Sequence, residues 1–268
     1  MNPFRQMLKA AGAHPPVGTW ISSASPVLAE AVGHAGFDWA VLDMEHSPSD
    51  TMEVLQMLQA MCATKAVPLV RLPWNDPVVV KRVLDAGAAT LMFPFVQNAD
   101  EAARAVAATR YPPEGIRGLA GASRASRYGT QPNFFAQANR QVGVIVQLET
   151  VAAVGELERI AAVDGVDALF VGPGDISASL GVIGQFTHPK VMELLGAAAR
   201  RARSAGKPIG TIGESAEVAA QYRAAGFDFI AIGSDISLLM RAARGVIGAL
   251  RTPDSEHVHS ISSGTQGY

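Results

Sequence analysis

The sequence of 268 residues contains one cysteine, Cys62. A single thiol excludes a disulfide framework and any cysteine-rich zinc site, and it points to a reducing compartment. Aromatic residues make up 6% of the chain against an apolar share of 49%, which fits an α/β protein better than a sandwich built on aromatic strands. There is no basic run and the net charge is −2, so nucleic acid is not an expected partner. No apolar run reaches ~18 residues, so no membrane span is expected. Residues 1–12 lack the apolar core of a signal peptide. A soluble, cytoplasmic protein acting on small molecules is the expectation.

A chain of this length buries roughly 75% of its unfolded surface and can form one large core. Five glycines, Gly36, Gly87, Gly165, Gly206 and Gly226, each close a helical stretch, as a left-handed C-cap does. A short apolar strand follows each, finishing seven residues later at Asp43, Pro94, Gly172, Gly213 and Gly233. The cognates Ala35-Gly36-Phe37-Asp38-Trp39-Ala40-Val41 and Ala225-Gly226-Phe227-Asp228-Phe229-Ile230-Ala231 make the register visible. Strands over 17–22, 67–72 and 143–150 complete the set. Helices are expected over 26–35, 49–61, 76–86, 99–109, 151–162, 189–205, 215–225 and 236–250. Alternating strands and helices with near-continuous apolar strands imply a parallel sheet covered by helices. The economical closure is a (β/α)8 TIM barrel over residues 1–251. An open doubly wound sheet competes, but no Gly-x-Gly-x-x-Gly follows the first strand. Residues 252–268, rich in Ser, Gly and His, read as a polar tail.

In such a barrel the C-terminal strand ends form the active face. In chain order those ends carry Trp20, Asp43-Met44-Glu45-His46, Arg71, Pro94, Gln147 and Glu149, Gly174-Asp175, Ile212-Gly213 and Ser234-Asp235. Gln147 and Glu149 are two apart and share a strand face. His46 and Asp175 each lie ten residues past a cap glycine, so the register makes them equivalent on one rim. Plainer roles compete for each. Asp175 could be a helix N-cap, Glu149 a structural ion-pair member with Arg71 as its partner, and His46 a satisfied polar group. Their joint occurrence on one rim favours function.

Two carboxylates, with no Cys or His pair at ligand spacing, suit a hard dication that keeps positions open for water and substrate. A 2-keto acid could chelate such an ion, which would stabilise an enolate as a Lewis acid. Arg71 would offset the same developing charge. His46 would move protons directly or through a water. Imine chemistry needs a lysine at the active face. The register places Lys65 and Lys207 before strands and Lys9, Lys81 and Lys190 on helices or the N-terminal leader, so a Schiff base is disfavoured.

The segments Asp43-Met44-Glu45-His46-Ser47-Pro48, Pro68-Leu69-Val70-Arg71, Tyr111-Pro112-Pro113-Glu114-Gly115-Ile116-Arg117-Gly118, Gln147-Leu148-Glu149-Thr150 and Val171-Gly172-Pro173-Gly174-Asp175 resemble the HpcH/HpaI family of metal-dependent 2-keto acid aldolases. The likeness runs over about 17–250. It implies a barrel that reversibly cleaves 4-hydroxy-2-oxo acids to pyruvate and an aldehyde with a divalent ion, Mg²⁺, Mn²⁺ or Co²⁺. By the same resemblance His46 matches the proton acceptor, Arg71 the transition-state stabiliser, Gln147 a pyruvate-binding side chain, and Glu149 and Asp175 the metal ligands. Gly174 stands where the family commonly has Ala; it keeps the backbone N–H that contacts pyruvate but loosens the loop. Asp85 matches an Asp that raises the basicity of the active-site His. The register puts Asp85 at the bottom of the barrel, at the acid-unfavourable end of a helix. It would therefore reach the His46 of another subunit, in keeping with the family's hexamers or trimers of dimers.

For the aldehyde, Trp20, Ile212 and Gly213 are expected to form an apolar wall. Arg117, Arg124 and Arg127, in the long segment 111–141, are candidates for gripping a distal carboxylate, with solvated surface arginines as the alternative. A heptanedioate substrate and a sugar acid both fit. Competing readings are a related enol-pyruvate mutase or thioester lyase, and a barrel that binds keto acid without turnover.

Overall fold

Period-two alternation along the strands sorts the side chains into two cores. The computed structural model describes residues 1–12 and 14–251. Its strands are β1 (Val17–Ile21), β2 (Trp39–Asp43), β3 (Val67–Arg71), β4 (Thr90–Phe93), β5 (Gly143–Leu148), β6 (Ala168–Val171), β7 (Ile209–Gly213) and β8 (Phe229–Ser234). All pair in parallel, each with its sequence neighbour, and β8 returns to β1 to close the barrel. The expected TIM barrel is the fold observed, and the open sheet is excluded.

The helices are α1 (Pro3–Ala10), α2 (Pro26–His34), α3 (Thr51–Met61), α4 (Pro77–Asp85), α5 (Ala99–Thr109), α6 (Phe134–Gln141), α7 (Val151–Gly155), α8 (Leu157–Ala161), α9 (Pro173–Ser179), α10 (Pro189–Ser204), α11 (Ala216–Ala225) and α12 (Asp235–Arg251). The five register glycines all have positive φ, from 66° to 101°, as left-handed caps require. Among the described residues no helix is long and apolar enough to cross a membrane.

Outward-facing strand residues such as Leu42, Val70, Leu91 and Val146 pack under the helices. Inward-facing Trp39, Val41, Leu69, Met92, Ile145, Phe170 and Phe229 fill the barrel itself. Two glycines make room for the largest of these. A Cβ on Gly18 would lie 2.2 Å from the ring of Trp39, and one on Gly210 would lie 2.3 Å from that of Phe229.

The N-terminal segment, expected as a mere leader, is a plug. Asn2 caps α1 by accepting from the Arg5 N–H, and it donates to the carbonyls of Ala89 and Gln141. Arg5 forks onto Asp167 at 2.7 and 2.8 Å. These ties drive Phe4 into the barrel base, 5.3 Å from the Phe229 ring. The bottom of the barrel is thereby closed among the described residues.

One other expectation is corrected. The single helix over 151–162 is broken at Glu156 into α7 and α8, next to Gly155, a poor helix former. The long segment 111–141 contains α6 and a short 3-10 turn, Arg124–Ser126. The proposed tail over 252–268 lies outside the described residues.

Candidate active site

The inward positions change character as the strands reach the rim. β2 presents Trp39 and Val41 below and Asp43 on top; β3 presents Leu69 and then Arg71; β5 presents Ile145 and then Gln147. Asp43 and Arg71 are direct register partners. Arg71 donates Nε to Asp43 Oδ1 at 2.8 Å and Nη2 to Oδ2 at 2.7 Å. Its Nη1 lies 2.8 Å from Glu45 Oε2, and its guanidinium sits 5.6 Å over the Trp20 ring. Charge-assisted forks of this kind fix a guanidinium plane. The alternative reading of Arg71 as the structural partner of Glu149 is not what the structure shows: the β2–β3 register sets Asp43 beside it.

Glu149 is buried just past the end of β5, with Oε2 accepting the Phe95 N–H at 2.8 Å. Its pKa is pushed up to about 7, chiefly by burial, with Glu45 and then Asp175 adding like charge; the Phe95 N–H and Arg71 pull the other way. Burial raises Glu45 as well, against the pull of Arg71.

Asp175 is not the N-cap of its helix. Gly172 takes that place because Pro173 starts α9, and no capping side chain is present. Asp175 lies exposed in the first turn, with its carboxylate turned to the same cavity as Glu149. The uncapped first turn leaves the Gly174 N–H without an intrahelical acceptor.

A cavity of about 750 Å³ opens at this rim. It is lined by Trp20, His46, Arg71, Gln147, Glu149, Gly174, Asp175, Ile212 and Gly213, so nearly every residue expected at the site meets there. His46 stands at its mouth with a 69% exposed side chain, 3.9 Å from Glu45.

The residues fit a divalent cation. Glu149 and Asp175 are hard oxygen donors, and the cost of burying the Glu149 charge, with like charge from Glu45 and Asp175 added, is what a dication relieves. Gly172 keeps the approach clear, since a Cβ there would lie 3.2 Å from Glu149 Oε1. Among the described residues no group of three or more His, Cys, Asp or Glu side chains is placed to hold a metal. Water and substrate would therefore complete the shell.

Other expected residues lie elsewhere. Asp85 ends α4 at the closed end and pairs with Arg117 at 2.7 Å, so its place at a helix C-terminus is compensated within the chain. Arg117 is buried, stacked 4.5 Å from the Tyr111 ring, and is not a free grip for a substrate. Arg124 donates to the Ala86 carbonyl and Arg127 lies beside Gly87. All three arginines are far from this chain's rim cavity because they pack around the end of α4. Sequence reasoning missed the roles of Asp43 and Glu45 as the clamp on Arg71, and the Phe95 N–H on Glu149. It also missed Arg241 and Arg244, which line the cavity from α12.

A sequence profile described as HpcH/HpaI aldolase/citrate lyase matches residues 17–242. The chain is 47% identical over 245 residues to a 2-dehydro-3,6-dideoxy-6-sulfogluconate aldolase of Pseudomonas putida, covering 91% of this chain and 95% of that protein. It is 44% identical over 235 residues to a 5-keto-4-deoxy-D-glucarate aldolase of Salmonella newport (strain SL254), covering 88% and 91%. The crystal structure of an HpcH/HpaI aldolase/citrate lyase family protein from Burkholderia cenocepacia J2315 matches with a TM-score of 0.90 and 43% identity, covering 94% of this chain and all of that one.

Proposed function

The chain belongs to the HpcH/HpaI aldolase/citrate lyase family and is an aldolase releasing pyruvate and an aldehyde, and we propose that its substrates are 4-hydroxy-2-oxo sugar acids cleaved with a divalent cation held by Glu149 and Asp175. The observation that carries this reading is the meeting of His46, Arg71, Gln147, Glu149 and Asp175 on one cavity at the strand ends.

Cleavage breaks the C3–C4 bond. The C4 hydroxyl loses its proton, the bonding pair moves onto the ketone oxygen as an enolate, and C3 is then protonated to give pyruvate. Arg71 spends two of its five N–H groups on Asp43, with Glu45 beside Nη1 as an ion-pair partner only, which leaves three to receive the developing charge. His46, at the cavity mouth, takes the C4 hydroxyl proton directly or through a water. Gln147, through the N–H groups of its amide, and the Gly174 N–H hold the pyruvate half. Trp20 and Ile212 wall the aldehyde half. The cation, when bound, supplies Lewis-acid stabilisation of the enolate.

Asp85 acts across a subunit boundary, tuning the His46 of a neighbour in a homo-oligomer of hexamer or trimer-of-dimers type. Within the chain the two residues occupy opposite ends of the barrel. Association is supported by α12, which exposes Leu239, Val246, Ile247 and Leu250, an apolar face that a soluble protein ordinarily covers. We assign the enzyme to the cytoplasm and residues 1–251 to one domain.

The test is pyruvate release from a panel of 2-keto-3-deoxy sugar acids, run with Mg²⁺, Mn²⁺ and Co²⁺. Cation-dependent release from at least one supports the proposal; release that survives complete chelation contradicts the cation role.

A further inference from the structure

The rim cavity has two poles. Its inner half carries Asp43, Glu149 and Asp175, and the one cation there, Arg71, is neutralised by Asp43 and Glu45. Its outer half is bounded by α12, which starts directly at the end of β8. Ser237, Met240, Arg241 and Arg244 line the cavity from this helix. Spacings of three, four and seven place all four on one helical face.

Among the described residues neither outer arginine has a carboxylate at ion-pair distance, although Arg241 acts through space on the exposed Glu217. Arg241 donates Nη2 to the backbone carbonyl of Glu214, not to a carboxylate. The Arg244 side chain has no hydrogen bond or ion pair among the described residues. Glu214 is the acidic residue among those lining the outer half, and Glu217 lies outside that lining, so the two guanidinium groups are the charges that line the outer wall without a hydrogen-bonded carboxylate. Like charges three residues apart on a helix repel, and a bound anion between them removes that cost. Guanidinium forks match carboxylate and sulfonate oxygens in geometry.

We propose that Arg241 and Arg244 form the subsite for a distal acid group, a carboxylate or sulfonate, on the aldehyde half of the substrate. This deepens the aldolase reading and rests on it. The anionic inner pole takes pyruvate with the help of its cation, and the cationic outer pole selects aldehydes that end in an acid. Neutral aldehydes of the same length lack the group these arginines pair with.

The test compares aldol addition of pyruvate to succinic semialdehyde and to butanal, which share a four-carbon chain and differ in the terminal acid. The readout is the ratio of their kcat/KM values. In the Arg241→Gln/Arg244→Gln double variant this ratio falls about tenfold or more, mainly through KM for the semialdehyde, the effect of losing one charge-assisted contact. The double lysine variant keeps part of the preference. An unchanged ratio, or equal losses on both aldehydes, overturns the proposal. Pyruvate C3–H exchange by the unaltered enzyme needs no aldehyde and separates the two claims. Absent exchange refutes the aldolase reading, whereas normal exchange with an unmoved ratio refutes only the arginine subsite.

Discussion

Asp43 and Arg71 face each other across the β2–β3 register and are joined by two hydrogen bonds of 2.8 and 2.7 Å. Both are buried, so the pair fixes the direction in which Arg71 presents its remaining N–H groups.

Asp43→Ala leaves Arg71 buried without its hydrogen-bonded counter-ion, with Glu45 and Glu149 acting through charge alone. Breaking a buried pair costs about 3–5 kcal/mol, read as a lower midpoint in denaturant titration. The reoriented guanidinium also lowers kcat by about 10²-fold, the scale of misplacing one charge-stabilising donor. Unaltered kcat would show that Arg71 does not act on the developing charge.

Glu149 gives a pH signature without any substrate. Its folded pKa stands at about 7 against an ordinary 4.5, so the folded apoprotein holds this proton more tightly than the unfolded chain. The contribution of this group to stability is therefore fully present below 4.5, falls as pH rises through this window, and is lost above it, a difference of about 3 kcal/mol. Denaturant titrations with a chelator at pH 5 and pH 8 should show the loss, and Glu149→Gln should reduce the slope. Saturating Mg²⁺ or Mn²⁺ at pH 8 should restore stability to the native enzyme only.

Gly174→Ala is compatible with the fold. The added Cβ meets nothing closer than Phe186 Cε1 at 4.0 Å, and φ is not in the left-handed region. Loss of unfolded-state freedom should stabilise the protein by about 0.4–1 kcal/mol. Because the backbone N–H is kept, the reaction remains and KM for pyruvate does not rise. A thermal melt and pyruvate saturation curves check both.

If Asp85 serves a neighbouring subunit, His46→Ala and Asp85→Ala are each nearly inactive but complement one another in mixed oligomers. Co-expression should yield activity above that of either parent, in proportion to sites that receive an intact residue from each chain. No recovery in verified hetero-oligomers would place Asp85's role in its own chain, with Arg117.

The glycine register made the barrel legible, because a left-handed cap followed by an apolar strand is a local signal repeated five times. Since the strands are parallel and end in step, the same register carried His46, Arg71, Gln147, Glu149 and Asp175 to one rim. Partner choice was not legible. Arg71 pairs with Asp43 because of the lateral register of two strands, and Arg117 pairs with Asp85 across 32 residues of sequence; neither follows from spacing. The plug of α1 rests on Asn2 reaching Ala89 and Gln141, long-range contacts with no local signature. Arg241 and Arg244 sit on a helix whose pattern shows amphipathicity, while the exit angle from β8 decides that their face meets the cavity.

The central claim is a cation-assisted enolate formed between Arg71 and the Glu149/Asp175 pair, and deuterium incorporation into the methyl group of pyruvate in D₂O tests it most directly. Exchange is expected with Mg²⁺ or Mn²⁺, stopping on chelation, returning on re-addition, and lost in Arg71→Ala and in Glu149→Ala. Exchange that persists under complete chelation, or none with any divalent ion, contradicts it.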